Sequence, residues 1–161
     1  MISTVIAVAG TLLGAAVSGI FAQLGARRTE RADRAERRRG ELLHAMQRLS
    51  TAVSAHRRAM YKRGEARLTG ASEERVQQLR DISHDTRGDV QEPLSSVRLL
   101  VRDAAVLAAA DEMVEATFGM RRADGTTDAA LTREGLTAAR QVAVDAHDRF
   151  ISAAAAHLQA L

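Results

Sequence analysis

The chain opens on a long stretch without charge. From Met1 to Ala26 no ionisable side chain occurs, and Ile2 to Leu24, read as a helix rising ~1.5 Å per residue, spans about 34 Å. That length is enough for a hydrocarbon core of about 30 Å, so residues 1–26 are expected to form one transmembrane helix. A cleaved signal peptide places positive charge ahead of its apolar core, whereas here the charge follows it. Gly10, Gly14 and Ser18 recur every fourth residue, and Ala15 and Gly19 repeat the spacing one residue over. Small side chains so placed share a helix face and allow two backbones to approach closely, which predicts packing of one span against another.

Further along, apolar positions recur in steps of three and four. Leu42, Met46, Leu49, Val53, His56 and Met60 form an a/d seam of the coiled-coil or thin-bundle kind. This helix is expected over 42–68, with Gly70 as a stop and Ser72 as an N-cap ahead of Glu73 and Glu74. A second helix, sparse in apolar residues (Val76, Leu79, Ile82), is expected over 72–91. Gly88 and Pro93 predict a kink or brief break, because proline disfavours helix at the residue before it and fits a first helical position. A third helix is expected over 93–119, with Val97, Leu100, Val101, Ala104, Leu107, Val114 and Phe118 on its apolar face. "RRADGTTDAA" reads as a loop with Asp124-Gly125 as its turn. A last helix, over 129–160 with its start between Asp128 and Glu134, carries the seam Leu136, Ala139, Ala143, Ala146, Phe150, Ala153 and His157. The expected fold is therefore all-α: a single N-terminal transmembrane helix (1–26), a basic juxtamembrane helix (27–41), and an elongated antiparallel cytoplasmic bundle or coiled coil (42–161).

Composition supports helix and thin cores. The chain has 161 residues, 46% of them hydrophobic but only three Phe, one Tyr and no Trp, so the apolar share is mostly Ala, Leu and Val. Alanine loses no side-chain entropy in a helix, and small side chains bury little area each. The absence of cysteine removes disulfides, thiol catalysis and thiolate metal sites.

Charge sets the topology. The net charge of +3 hides thirteen Lys/Arg against five Asp/Glu over 27–69, and ten against fifteen over 70–161. Seven arginines (Arg27, Arg28, Arg31, Arg34, Arg37, Arg38, Arg39) follow the apolar stretch directly. Such residues stay on the cytoplasmic side, which predicts an inner-membrane protein with its N-terminus outside and its bundle in the cytoplasm. They also face anionic lipid, although Glu30, Asp33 and Glu36 dilute the attraction. Contact with DNA phosphate is the weaker alternative for this block.

Chemistry is scarce. His44, His56, His84, His147 and His157 form no HExxH or comparable spacing, and no phosphate loop or nucleophile elbow occurs. His84-Asp85 and His147-Asp148 match the dipeptide of metal-dependent phosphohydrolases, but adjacent helical residues do not face one site. No catalytic, cofactor-binding or metal-ligating residue is assigned, and no enzyme is expected.

The opening "TVIAVAGTLLGAAVSGIFA" with its arginine-rich continuation, "VEATFGMRRA" and the closing "AARQVAVDAHDRFISAAAAHL" resemble the small actinobacterial KilB-like membrane proteins associated with intermycelial plasmid spread. The likeness covers roughly the first 40 residues and residues 104–158. It implies a role in plasmid transfer or spread at the membrane and carries over no catalytic residue. The resulting expectation is a non-enzymatic, oligomeric scaffold or docking module with membrane lipid and a transfer-apparatus protein as partners. A holin-like, membrane-active toxin and a membrane-tethered DNA-contacting protein are the alternatives.

Overall fold

A computed structural model describes the backbone of residues 2–123 and 131–160, and the side chains of residues 30–31, 33–122 and 131–160. The helices are α1 (Ile2–Leu68), α2 (Glu73–Gly88), α3 (Gln91–Leu100), α4 (Ala104–Gly119) and α5 (Arg133–Gln159), with a short 3-10 turn at Met120–Ala123. Among the described residues there is no strand, and the chain is all-helical. No helix among them is long and apolar enough to cross a membrane. The span expected over 1–26 falls on residues whose side chains lie outside the description, and the turn expected at Asp124-Gly125 lies outside it altogether.

The chain divides into two compact units, Met1–Gly40 and Glu41–Leu161. In the first, the described side chains of 30–40 are exposed, and Arg34 pairs with Glu30 at 2.9 Å across one helical turn.

The second unit is a bundle whose polar cross-links fix its directions. Arg48 of α1 pairs with Glu92 at the start of α3, while His56 and Arg63 reach Thr86 and Ser83 of α2. The run α2–α3 therefore descends along the ascending α1. Glu112 of α4 holds Arg149 of α5, and Asp103 lies 3.3 Å from His157, so α5 descends along α4. The order is up, down, up, down, as short connections favour. Leu49, Val53, Val97, Val106, Met113, Ala146 and Phe150 lie at its centre.

Local chemistry accounts for each turn. Gly70 takes φ +68°, Ala71 N–H donates to the Ala66 carbonyl and Gly70 N–H to that of Arg67. This is the Schellman stop, in which a left-handed glycine satisfies carbonyls left over at a helix end. Ser72 then accepts from Arg75 N–H and caps α2. The chain breaks briefly between Gly88 and Gln91, and Pro93 becomes the third residue of α3 rather than its first. The missing N–H costs nothing there, because the first four N–H groups of a helix have no internal partner.

The single helix expected over 93–119 is two. Val101 leaves helical geometry at φ −91°, ψ 134°, and Asp103 restarts it by accepting from Ala105 and Val106 N–H at 2.8 and 3.1 Å. The interruption resets the helical phase. Of the expected face, Val97, Val101 and Val114 are buried but Leu100 and Ala104 are exposed, and Val106, Ala110, Met113 and Thr117 join the buried positions. The closing helix starts at Arg133, within the expected range of 128–134, because Thr132 supplies its cap by accepting from Gly135 N–H at 3.0 Å.

Candidate functional site

The sparsely apolar α2 does not close over α1. Its buried residues are Leu79 and Ser83, and a cleft of about 900 Å³ opens between α1, α2 and the turn after α4. Arginines enter this cleft from three elements: Arg63 and Arg67 from α1, Arg80 and Arg87 from α2, and Arg121 from the Met120–Ala123 turn. Among the described residues Glu73 is the one carboxylate in the lining, and Met60, Val76 and Phe118 supply apolar wall.

The interior of the cleft is ordered by hydrogen bonds. Arg63, only 6% exposed, donates to Ser83 Oγ at 2.9 Å, and Ser83 passes its own hydrogen to the Arg80 carbonyl at 2.7 Å. His56 Nδ1 lies 3.1 Å from Thr86 Oγ1. The Thr86 hydroxyl donates to the Ile82 carbonyl at 2.9 Å, so it accepts from histidine, which places the imidazole hydrogen on Nδ1. The Phe118 and His56 rings stand perpendicular with centroids 5.2 Å apart, and the Arg87 guanidinium stands 4.5 Å over the Phe118 ring. The second contact is a cation–π pair.

Electrostatics follow from this crowding. Burial first, then Arg87 and Arg63, push the His56 pKa down from 6.5 to about 4, so the imidazole is neutral at pH 7. Arg63 is held below its ordinary value by burial and then by Arg67, Arg80 and Arg121. Like charges gathered in a partly desolvated cleft repel one another.

A second polar cluster joins α1 to α5. Ser50 Oγ lies 2.7 Å from His147 Nε2, and Arg57 donates to His147 Nδ1 at 3.2 Å and to the Ala143 carbonyl at 3.4 Å. An arginine only donates, so the histidine hydrogen sits on Nε2 and points at Ser50. That tautomer is the reverse of a nucleophile–base pair, in which the unprotonated nitrogen must face the hydroxyl. Among the described residues, no group of three or more His, Cys, Asp or Glu could hold a metal ion. His84 faces the arginine cleft and His147 faces Ser50, so the two HD dipeptides do not converge.

Of the residues singled out in the sequence, Leu42, Met46, Leu49, Val53, His56 and Met60 are all buried within this chain's own bundle. Arg31, Arg34, Arg37, Arg38 and Arg39 are exposed. Gly10, Gly14, Ala15, Ser18, Gly19, Arg27 and Arg28 lie outside the described side chains. Sequence reading missed the arginine cleft. Its members are spread from residue 63 to 121, and only the α1–α2 hairpin and the turn at 120 bring them together. The surviving signal was the weak apolar content of α2, which foretold a helix that covers its neighbour incompletely.

Comparison with known proteins gives two matches. The family model described as "KilB plasmid transfer protein" matches residues 43–158. "Protein KilB" of Streptomyces lividans is 37% identical over 155 residues, covering 96% of this chain and 97% of that protein. No solved structure matches.

Proposed function

Since the chain belongs to the KilB plasmid transfer protein family, we propose that it serves plasmid transfer as a non-enzymatic, single-pass membrane protein whose bundle docks a partner of the transfer apparatus. The observation that carries this reading is the continuity of α1, whose helical backbone begins at Ile2, runs through the uncharged stretch and continues into the arginine block. A stretch of that length without ionisable groups favours lipid over water, and the arginines behind it resist translocation. On this reading the N-terminus faces outward and the bundle lies in the cytoplasm.

Self-association is assigned to the span rather than to the seam. Leu42 through Met60 are used by the intramolecular core, and a second copy could reach them only by exchanging helices. Gly10, Gly14 and Ser18 offer a close-packing face instead.

The test is fractionation of the full-length protein with and without residues 1–26, combined with plasmid transfer frequency. The expected result is a full-length protein that resists carbonate extraction from membranes. Protease should digest its bundle only after cells are lysed, and the truncated form should lose transfer. A full-length protein that stays in the aqueous fraction, or a bundle digested on intact cells, overturns the reading. Dye leakage on inducing the full-length protein would favour a membrane-permeabilising role.

A further inference from the structure

We propose that Arg57, His147 and Asp148 form a proton-operated latch on the α1–α5 seam, in which uptake of a proton by His147 transfers the Arg57 guanidinium from the imidazole to the Asp148 carboxylate. The latch lies wholly within the bundle and does not depend on the membrane span.

The hydrogen-bond geometry admits one protonation state. Arg57 approaches His147 Nδ1 at 3.2 Å, and a guanidinium donates but never accepts, so Nδ1 offers its lone pair. Nε2, 2.7 Å from Ser50 Oγ, then carries the imidazole hydrogen. The closed cluster is a neutral imidazole bonded on both sides, and it ties α5 to Ser50 and Arg57, about two turns apart on α1. A further proton has one place to go, Nδ1. There its N–H faces the N–H of Arg57, and two positive charges meet across the same gap. The Nε2–H bond to Ser50 is unaffected. Only the Arg57 half opens.

The surrounding charges decide where Arg57 goes. Among the described residues they come from α1 (Arg58) and from α5 (Arg140 and Asp148). Burial first and then Arg140 hold the Arg57 pKa below its ordinary value; Asp148 opposes them and Arg58 adds to them. Arg140 is itself stacked 4.9 Å over the Tyr61 ring, which holds it in place. Burial and then Arg57 hold the His147 pKa below its ordinary value, again against Asp148. While the imidazole is neutral, Arg57 bonds to Nδ1 and to the Ala143 carbonyl at 3.4 Å. Once the imidazole is cationic, that long carbonyl bond alone is left on this side. Asp148, exposed on the next residue of α5, is the acceptor of opposite charge. The latch is therefore closed at neutral pH and opens as the pH falls through the imidazole midpoint, which lies below 6.5.

The experiment is nitrogen NMR of the isotope-labelled full-length protein in mild detergent, following the His147 ring and the Arg57 guanidinium in one pH titration. At neutral pH the ring should show a bare Nδ1 and a protonated Nε2, with slow rotation of the Arg57 guanidinium. As the pH falls, the guanidinium signals should shift with the same midpoint as the ring. Asp148→Asn should move that midpoint to lower pH, because it removes the one charge that favours the imidazolium. His147→Gln, which keeps a neutral polar partner, should abolish the pH response of Arg57. His56→Leu should leave the response in place, which separates the latch from acid weakening of the whole fold. If His147→Gln lowers the helical circular dichroism, the coincidence of the two midpoints in the natural sequence decides alone. An Arg57 signal that stays constant through the imidazole titration overturns the proposal. So does a response that persists in His147→Gln, a midpoint unmoved by Asp148→Asn, or a ring hydrogen found on Nδ1 at neutral pH.

Discussion

Leu136 of α5 presses on α1 at Gly64 so closely that a methyl group on residue 64 would lie 2.8 Å from Leu136 Cδ1 and 2.9 Å from Cδ2. Both residues are buried, and the missing side chain at 64 is what admits the leucine. Gly64→Ala is therefore expected to destabilise the bundle by up to about 2 kcal/mol in chemical denaturation. The overpacking cost of roughly 1–3 kcal/mol exceeds the gain of about 1 kcal/mol from replacing a mid-helix glycine. Adding Leu136→Ala should remove much of the Gly64→Ala penalty, a coupling that a double-mutant cycle measures.

Acid should weaken the fold through His56. Its pKa is about 4 in the folded protein against 6.5 ordinarily, so the unfolded chain binds the extra proton between those values. Stability is then complete above about pH 6.5 and falls as the pH drops toward 4, by on the order of 2–3 kcal/mol at about 1.4 kcal/mol per pH unit. His147, also lowered by burial and then by Arg57, adds to the loss with the same sign. Urea denaturation from pH 7.5 to 4 should show the slope, and His56→Leu should flatten it.

The cap that divides the third predicted helix is open to test by mutation. Asp103→Ala removes the acceptor of two N–H groups and the carboxylate facing His157, and it should lower Tm by a few degrees. Asp103→Asn keeps the cap and should recover most of the loss in the same thermal scan.

Arg57 sets the state of His147. Arg57→Met removes a positive charge 3.2 Å from Nδ1, so the His147 pKa should rise toward its ordinary value. An NMR titration of the imidazole resonances reads this directly; an unchanged pKa would mean that burial alone depresses it.

These residues also mark how far the sequence could be read. The seams of α1 and α5 were legible because alternating steps of three and four survive in long helices: Leu49, Val53, Ala146 and Phe150 are buried where periodicity places them. The third helix was misread for a local reason. An apolar run that continues through Val101 hides a break, and Asp103 is not legible as a cap because the alanines after it continue a helical run. The cleft was illegible for a different reason, since no spacing along the chain links Arg63, Arg87 and Arg121. Their proximity is a product of tertiary folding.

The thin packing of α2 has a consequence for how the protein breathes. With Leu79 and Ser83 as its buried residues, this leg contributes little to the shared core, whereas α4 and α5 bury five residues each. Amide hydrogens of α2 should therefore trade with solvent deuterium well before those of α4 and α5, through excursions that leave the opposite side of the bundle intact. The hairpin then acts as a hinged flap, and whatever occupies the space beneath it would slow its exchange.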